Sequence, residues 1–294
     1  MKIAAKAPAK VNLAISIKGK RYDNYHEVDM VMQAVSLFDI ITVERNFSIN
    51  NGYCNTEIIC NRNIGCSTKQ NTVFKASEKF FKYTNIKNPG ILIKIQKNIP
   101  TFAGLAGGSS DAAAVLICLN KIFDTKLSDS EMIDIGAGIG ADVPFFIVGG
   151  TCHAYGIGTE IEKIKNIPDC GIVIVKPEYN ISTKKAYDMY NDLNIQTSGS
   201  VENMISLIGE SNLFKISRYL FNDFEQIIKN SGIEKVKNEF LKTNAMGFSM
   251  SGSGPSVYAI FENFFEAQKC AKNISKIFKN VYVCIPFHQG AHIF

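Results

Sequence analysis

The sequence lacks the features that mark membrane proteins and nucleic-acid-binding proteins. No window reaches the roughly 18 apolar residues that a membrane-spanning helix needs. No basic run is long enough to form a nucleic-acid-binding tail, and Lys plus Arg exceed Asp plus Glu only by 32 to 27. The resulting net charge of +5 suits an anionic small molecule as well as a nucleic acid. We therefore expect no membrane and no nucleic acid among the partners of this chain.

The cysteines and histidines also lack the spacing of a disulfide framework or a zinc site. None of the eight cysteines forms a C-x-x-C pair, and a chain of 294 residues does not need disulfides to fold. Cys54, Cys60 and Cys66 follow one another at intervals of six residues, which no tetrahedral zinc site uses. His288 and His292 have half of a zinc-site spacing without a cysteine pair to complete it. We expect reduced thiols, no metal site built by the protein alone, and a polar carboxyl-terminal tail.

The remaining composition is that of a globular, cytoplasmic protein. Hydrophobic residues make up 46% of the chain and charged residues 20%. The first residues, MKIAAKAPAKVNL, have neither the apolar core of a signal peptide nor the character of a transit peptide. At about 150 residues per domain the length favours two domains. Gly156 and Gly158 loosen the chain near the middle, so we place the domains at residues 1–160 and 161–294.

Apolar spacing predicts a mixed α/β chain. Apolar residues at every second position from 11 to 17 indicate a half-buried strand, and further strands are expected from residue 28, at 39–44, 91–95, 171–175 and 256–262, with the last at 281–285. Asn71 is suited to cap one helix, and the sequence SDSE at residues 128–131 is a capping box that opens another. Further helices are expected at 109–123 and from about residue 263.

A strand, a glycine-rich loop and a helix follow one another in ILIKIQKNIPTFAGLAGGSSDAAAVLICLN, residues 91–120. Backbone N–H groups approach a phosphate closely where side chains are absent, which accounts for Gly104, Gly107 and Gly108. The helix expected from Ser109 directs its positive dipole end at the same anion. The loop has neither the Lys-Ser/Thr of a P-loop nor the G-x-G-x-x-G of a dinucleotide-binding fold. Taken alone, these glycines favour a structural turn over a phosphate site, because glycines before a helix are common.

Three segments together resemble the motifs of the GHMP kinases, the group of galactokinase, homoserine kinase, mevalonate kinase and phosphomevalonate kinase. They are APAKVNLAI (7–15), PTFAGLAGGSSDAA (100–113) and FSMSGSGPSVYAIF (248–261). Their order across almost the whole chain makes the match specific. The resemblance implies an α/β (α+β) protein of two domains, the first like ribosomal protein S5 domain 2 and the second ferredoxin-like, with the active site between them. Ala106 stands where the family usually has glycine, and we expect that position not to need glycine's φ.

The resemblance also implies the catalytic pair. Phosphoryl transfer to an alcohol requires neutralised charge on the phosphoryl oxygens and an acceptor for the alcohol proton. Lys10 suits the first task and would lower the pKa of the attacking hydroxyl. Asp142, on a turn before the apolar run FFIV, suits the second as general base. Taken alone, Lys10 is better explained as an exposed strand-end lysine and Asp142 as a capping residue, and their placement inside two family motifs reverses that interpretation.

On the nucleotide side the resemblance implies ATP with Mg²⁺. The glycine loop would hold the phosphates through Pro100, Gly104, Leu105, Ala106, Gly107, Gly108, Ser109 and Ser110. Lys97 would hold the purine edge through its main chain. We find no clear carboxylate ligand for the metal apart from Asp142. We therefore expect phosphates, water and the Ser110 hydroxyl to hold Mg²⁺.

On the acceptor side the chain resembles the GHMP kinases that act on methylerythritol linked to cytidine diphosphate, in the non-mevalonate isoprenoid pathway. The segments that carry this are PAKVNLAISIKGKRYDNYHEVDMVMQ (8–33) and GADVPFFIVGG (140–150). The resemblance implies that Tyr25 stacks on cytosine and His26 reads its edge. Tyr187 is either the second stacking face or a core residue. Thr183 would touch the ligand, and Asn12 the methylerythritol or the phosphates.

Three alternatives remain open at this point. The chain is a GHMP kinase for a small alcohol such as homoserine or mevalonate, against which the aromatic residues speak. It is a non-catalytic ligand-binding relative, against which intact Lys10 and Asp142 speak. Or it is an RNA-binding module, for which a stripe of basic and aromatic residues is missing. The sequence does not indicate an oligomeric state.

Overall fold

The computed structural model describes residues 1–46, 56–63, 65–191 and 196–294. The strands are β1 (Lys2–Lys20), β2 (His26–Arg45), β3 (Thr56–Cys60), β4 (Ile91–Gln96), β5 (Thr151–Tyr155), β6 (Glu160–Lys163), β7 (Gly171–Lys176), β8 (Phe221–Asn222), β9 (Gly247–Met250), β10 (Val257–Phe261), β11 (Asn280–Cys284) and β12 (His292–Ile293). The helices are α1 (Thr72–Thr84), α2 (Gly107–Phe123), α3 (Asp129–Ala137), α4 (Val143–Val148), α5 (Thr183–Asn191), α6 (Val201–Gly209), α7 (Leu213–Arg218), α8 (Phe224–Ile227), α9 (Ser231–Leu241) and α10 (Phe264–Ile274), with a short 3₁₀ helix at Thr68–Gln70.

The larger sheet is built around the long hairpin of β1 and β2. Its strand order is β12-β1-β2-β4-β3, while β5 pairs with β2 and β6, and β8 pairs with β1. Register shifts in β1 fall after Pro8, Asn12 and Ile17, so irregularities flank the part of the strand that carries Lys10. Bulges of this kind re-aim side chains and are frequent beside active sites. Helix α2 packs on this sheet and contributes a nearly continuous buried face.

The smaller sheet has the strand order β11-β7-β10-β9, with every pairing antiparallel. Numbered by their own sequence order, these strands run 4-1-3-2, with helices between the first and second strands and between the third and fourth. This agrees with the predicted ferredoxin-like arrangement. The predicted mixed α/β class is confirmed, because helices and strands are both substantial.

The predicted domain limit at residue 160 stays a prediction. The two glycines on which it was based lie within the larger sheet and not between the two sheets. Gly156 and Gly158 lie in the turn between β5 and β6, inside the larger sheet. The smaller sheet begins only at Gly171, and β8 and β12 return to the larger sheet from the second half of the chain. Loose glycines near the middle therefore mark a hairpin.

Several predicted elements have different limits in the structure. The strand at 11–17 was expected to be half-buried, but Asn12, Ala14 and Ser16 are buried as well, because other elements cover both faces of β1. The separate strands expected from residue 28 and at 39–44 form one strand, β2. The chain does not end in a polar tail after β11, since β12 pairs with Ala5 and Lys6 of β1.

The predicted helix caps are confirmed. The Asn71 side chain accepts a hydrogen bond from the Val73 N–H at the start of α1. Ser128 and Glu131 form the capping box of α3. Asn263 caps α10. In the part of the chain that the structure describes, no helix has the length and apolar character needed to cross a bilayer.

Candidate active site

A cavity of about 890 Å³ is lined by residues from all three of the motifs recognised in the sequence. Motif one contributes Lys10 and Asn12, the glycine loop contributes residues 100–108, and the third motif contributes Gly252 and Ser253. Asp142, Tyr25, His26, Thr183 and Tyr187 also line it. The structure therefore gathers most of the predicted site residues around one space, which is large enough for two small-molecule ligands.

Lys10 and Asn12 lie two positions apart on β1, so their side chains share one face of the strand. The Lys10 ammonium donates to Asn12 Oδ1 at 2.5 Å. The same Asn12 oxygen accepts from the Gly252 N–H at 2.9 Å, and Asn12 Nδ2 donates to Met30 Sδ at 3.4 Å. Asn12 is fully buried. Its oxygen orients Lys10, which leaves the amide nitrogen as the polar atom for the predicted ligand contact.

Lys10 is a buried cation whose bond partner is neutral. Burial lowers the pKa of the Lys10 ammonium below its usual value, and the nearby negative charge of Asp142 opposes that shift. Asp142 is half-buried, at the residue before α4. Asp142 lies between Gly140 and Pro144 in the chain and lines the same cavity as Lys10. The predicted pair is thus brought into electrostatic contact inside the cavity.

The glycine loop is fastened to the first and third motifs by backbone contacts. The Lys10 N–H donates to the Leu105 carbonyl at 3.2 Å, and the Ser256 N–H donates to the Ala103 carbonyl at 3.2 Å. Gly104 has a φ of 75°, and a Cβ there would lie 2.0 Å from the Ser251 carbonyl oxygen. Only glycine lets the two loops approach this closely.

Helix α2 begins at Gly107, two residues before the predicted start. Ala106 precedes it with φ 54° and ψ 29°, in the left-handed region. The expectation that this position does not need glycine's conformation is therefore wrong, because alanine occupies a region that disfavours any Cβ. A Cβ on Gly107 would meet Ile99 at 2.9 Å. Gly107 is accordingly needed for packing under the loop as well as for open N–H groups.

Ser109 and Ser110 do not line the cavity. Ser109 is half-buried near Gly140, where a Cβ would lie 3.7 Å from its hydroxyl. The Ser110 hydroxyl is buried and has no hydrogen-bond partner among the described residues. The ATP-binding roles assigned to these two serines stay predictions, and the unpartnered Ser110 oxygen is the observation that favours one of them.

Lys97 has an ionic role that the sequence did not suggest. Its ammonium pairs with Asp39 and lies 2.8 Å from Asp111 Oδ2, and all three side chains are almost fully buried. The two carboxylates raise the pKa of Lys97 in spite of its burial. The predicted main-chain contact with a purine meets a competitor, because the Lys97 N–H donates to Asn61 Oδ1 at 2.8 Å. The purine contact of Lys97 stays a prediction. While Asn61 occupies the Lys97 N–H, only the Lys97 carbonyl oxygen is open for that contact.

An aromatic cluster forms the wall on the predicted acceptor side. His26, the first residue of β2, stacks on Tyr187 of α5 with ring centroids 4.6 Å apart and planes 22° apart. Phe224 meets Tyr187 edge-on at 4.9 Å. Tyr25 is 60% exposed at the edge of the cavity. His26 covers one face of Tyr187, so a pyrimidine that stacked on that face would displace the His26 ring.

The start of α5 is tied to the third motif and to a buried lysine. The Thr183 hydroxyl lies 3.2 Å from the Ser253 hydroxyl. Lys176 donates to Tyr179 O at 3.2 Å and to Asn180 Oδ1 at 3.0 Å, which fixes the segment that leads into α5. These contacts position Thr183 and Tyr187 toward the cavity.

Sequence reasoning missed several residues of this site. The missed polar residues have partners that are distant in sequence, and they are Asp39, Asp111 and Asn222. Asn222, for example, donates to the carbonyls of Met250 and Gly252, both at 2.8 Å. Phe102 and Phe224 line the cavity and were not assigned a role. Asp111 directly follows the serines of the second motif, and its place there was the one available signal.

Comparison with known proteins agrees with this geometry. Family models described as "GHMP kinases N terminal domain" and "GHMP kinases C terminal" match residues 71–150 and 196–280. Together with the relatives below, these matches show that the chain belongs to the GHMP kinases. The prediction of an ATP-dependent kinase of this family is thereby confirmed.

Several similar proteins are kinases named for one substrate. A 4-diphosphocytidyl-2-C-methyl-D-erythritol kinase of Clostridium beijerinckii is 38% identical over 95% of this chain and 98% of its own length. The enzyme of that name from Caldicellulosiruptor bescii is 41% identical over 94% of this chain and 95% of its own. A crystal structure of 4-(cytidine 5'-diphospho)-2C-methyl-D-erythritol kinase has a TM-score of 0.79 at 24% identity, covering 97% of this chain and 100% of that one.

Proposed function

We propose that this protein transfers the γ-phosphoryl group of ATP to the 2-hydroxyl of 4-diphosphocytidyl-2-C-methyl-D-erythritol, a step of the non-mevalonate isoprenoid pathway. The observation that carries the proposal is the cavity itself, in which Lys10, Asp142 and the glycine loop face the aromatic wall of His26 and Tyr187. The near full-length likeness to kinases named for this substrate supports the choice of acceptor. Because the described cysteines are free thiols, we place the reaction in the cytoplasm.

The residues divide the chemistry as follows. The acceptor oxygen attacks the γ-phosphorus, the bond to the β–γ bridging oxygen breaks, and ADP leaves. Asp142 accepts the proton of the attacking hydroxyl. Lys10 places positive charge beside the transferred oxygens, and its buried setting makes that charge more effective than it would be in water. Asn12 keeps the ammonium in place without neutralising it.

The residues present fit a magnesium ion held mainly by the nucleotide. Mg²⁺ prefers oxygen ligands and retains water, so it needs few ligands from the protein. The buried Ser110 hydroxyl, which has no partner within the described chain, is the oxygen that would reach it. When bound with ATP, the ion neutralises charge on the β- and γ-phosphates.

Recognition of the cytidine rests on the aromatic wall. We infer that the cytosine ring takes the position of the His26 ring against Tyr187, with Tyr25 on its other face. His26 then turns to the polar edge of the base. Thr183 and the Asn12 amide nitrogen are among the polar groups that line the cavity and could contact the diphosphate and the methylerythritol. Small alcohols such as homoserine or mevalonate would leave this wall unused.

The test is ADP formation compared across four acceptors: the cytidylated alcohol, uncytidylated methylerythritol phosphate, homoserine and mevalonate. We expect rapid turnover only with the first. If the uncytidylated alcohol reacted as fast as the cytidylated one, the aromatic wall would be core packing. If homoserine or mevalonate reacted fastest, the chain would be a GHMP kinase of another specificity. No turnover with any of them would favour a ligand-binding relative.

Tyr187→Ala sharpens that test. Loss of one stacking face should weaken binding of the cytidylated acceptor by about 1–3 kcal/mol. This loss should be measured as a higher KM for that acceptor. The KM for ATP should hardly change, and Tyr187→Phe should behave like the parent because it keeps the ring. A similar rise in both KM values after Tyr187→Ala would mean that the variant disturbs the fold of the site.

A further inference from the structure

Phe102 has a backbone conformation that a bulky residue rarely adopts. Its φ is 52°, in the left-handed region that favours glycine. It lies in the glycine loop, between Pro100 and Gly104, where Ala106 is the other non-glycine residue with a positive φ. Backbone strain of this kind concentrates at ligand-binding sites, where the side chain it presents is used.

The side chain that this strain presents is an exposed aromatic ring on the cavity wall. Phe102 is 53% exposed and lines the cavity together with Cys66 and Gln70. A Cβ on Gly65 would lie 3.9 Å from Phe102 Cε2, so the ring lies beside the segment that leads to α1. An aromatic face open to a cavity is a stacking surface for a flat ligand group.

The position of the ring relative to the reacting groups indicates which ligand group it meets. The acceptor occupies the space by Lys10 and Asp142, with its base against His26 and Tyr187. The γ-phosphate must lie next to the acceptor hydroxyl, and the other phosphates follow along residues 104–108. The nucleoside of ATP then lies beyond the phosphates, away from the aromatic wall. The part of the cavity left for it is bounded by Phe102 and by residues at the start of α1.

The start of α1 is fixed to the glycine loop, which keeps this end of the cavity in shape. The Thr72 hydroxyl donates to the Gly108 carbonyl at 2.6 Å. Asn71 caps α1 and lines the cavity. The exposed ring and a helix start held against the phosphate loop therefore line the same part of the cavity, where they bound a space for a planar group.

We propose that Phe102 stacks on the purine base of ATP and is the aromatic residue that sets affinity on the nucleotide side of this site. The inference rests on the proposed function, both in the use of ATP and in the side of the cavity that the acceptor occupies. Since every base has a π-face, stacking of this kind contributes affinity with little selection among purines. The main contribution of Phe102 is accordingly to ATP and ADP affinity through the base, while the glycine loop and Lys10 hold the triphosphate.

Calorimetric titration of the full chain tests the proposal, with ATP and with inorganic tripolyphosphate, which has the phosphates without the base. Phe102→Ala should weaken ATP binding by about 5- to 150-fold, the range of a lost base–aromatic stack. Tripolyphosphate binding should stay as in the parent. Phe102→Tyr, which keeps the ring, should bind ATP like the parent, and Phe102→Leu, which keeps apolar volume without the ring, should bind ATP weakly.

Three results would overturn the proposal. ATP binding by Phe102→Ala equal to that of the parent would leave the ring without a role. Equal weakening of ATP and tripolyphosphate binding would make Phe102 a determinant of loop shape. A loss of ATP affinity in Phe102→Tyr as large as in Phe102→Ala would show that the ring itself does not bind the base. Because no acceptor alcohol enters these titrations, an error in the proposed substrate would leave their outcome unaffected.

Discussion

Two buried lysines lie on either side of the glycine loop, and their surroundings differ. Lys10 and Lys97 are each only 4% exposed. Lys97 is paired with the carboxylates of Asp39 and Asp111, and its pKa is raised. Lys10 donates to the neutral amide oxygen of Asn12, and burial lowers its pKa. Equal burial therefore gives opposite pKa shifts, and the partners decide the direction.

The difference separates a structural cation from a reactive one. A lysine between two carboxylates has its charge already compensated, so little of it is available to a phosphate. A lysine held by an amide keeps its charge available at the cost of desolvation. The same contrast shows in position, since the Lys10 N–H bonds to Leu105 in the loop, while the Lys97 ammonium lies 3.2 Å from where a Gly107 Cβ would be. The Lys97 ammonium supports the glycine loop at Gly107, and the Lys10 ammonium faces the space for the ligands.

The largest expected effect is on stability, from removing each cation in turn. Lys97→Met leaves the buried Asp39 carboxylate and the Asp111 carboxyl group without a cation and should lower the free energy of unfolding by about 3–5 kcal/mol. Lys10→Met removes a desolvated charge and should leave stability unchanged or raise it. Chemical denaturation of both variants at neutral pH measures this.

A matched control shows whether charge is the cause. The triple variant Lys97→Met, Asp39→Asn, Asp111→Asn has no buried carboxylate left in the cluster, so it should recover much of the stability that Lys97→Met loses. The comparison would fail if Lys97→Met proved as stable as Lys10→Met, or if the triple variant were no better than Lys97→Met alone.

A second expected effect is that stability depends on pH through the buried cluster of Lys97, Asp39 and Asp111. Burial and the neighbouring Asp39 raise the pKa of Asp111 to about 8, against the opposing effect of Lys97. Between the unfolded value near 3.8 and about 8, the folded chain holds a proton that the unfolded chain has released. This group's contribution to stability is therefore complete below the unfolded pKa and is lost as the pH rises toward 8.

Asp111→Asn removes that titration and should flatten the stability profile over the same range. Unfolding free energies of the parent and of Asp111→Asn, measured at several pH values from 4 to 8, give the difference directly. Parallel profiles for the two proteins would show that Asp111 titrates alike in the folded and unfolded chain.

The smallest effect is expected between the two lysines, at Ala106. The left-handed φ of 54° costs a residue with a Cβ up to about 1–2 kcal/mol. Glycine loses more conformational entropy on folding, so Ala106→Gly should stabilise the fold by at most about 1 kcal/mol. Urea unfolding of Ala106→Gly measures this, with Ala103→Gly as the control.

Ala103 is buried, and its φ is not positive. Ala103→Gly therefore loses packing and gains no relief, so it should destabilise the fold. A loss of stability in both variants would contradict the strain assigned to Ala106. ATP affinity should change little in Ala106→Gly, because neither lysine is altered.

How much of this was accessible from sequence depended on the distance between interacting residues. Local patterns predicted the strand–loop–helix of residues 91–120, the helix caps at Asn71 and Ser128, and the presence of Lys10 and Asp142 in recognisable motifs. These features arise within a few residues of chain. The motif resemblance then predicted the family and the ferredoxin-like fold of the second half of the chain. Periodicity alone would not have predicted either.

The remaining features depend on pairings that the sequence does not display. The ionic role of Lys97 was missed because Asp39 lies 58 residues away and carries no motif. The stacking of His26 on Tyr187 joins residues that are distant in sequence, on β2 and α5. The conformation of Ala106 was misjudged because φ at one position depends on the surrounding loop. A lone substitution in a motif does not report it.

The most direct test of the account is a double-mutant cycle between Lys10 and Asp142, measured as kcat for ADP formation on the cytidylated acceptor with saturating ATP. If the two residues act as a unit on one transition state, Lys10→Met and Asp142→Asn should each lower kcat by about a hundredfold to ten-thousandfold. The double variant should then lose hardly more than the worse single one. Losses that multiply fully, or a near-parental kcat in Asp142→Asn, would contradict the assignment of Lys10 and Asp142 as a catalytic pair.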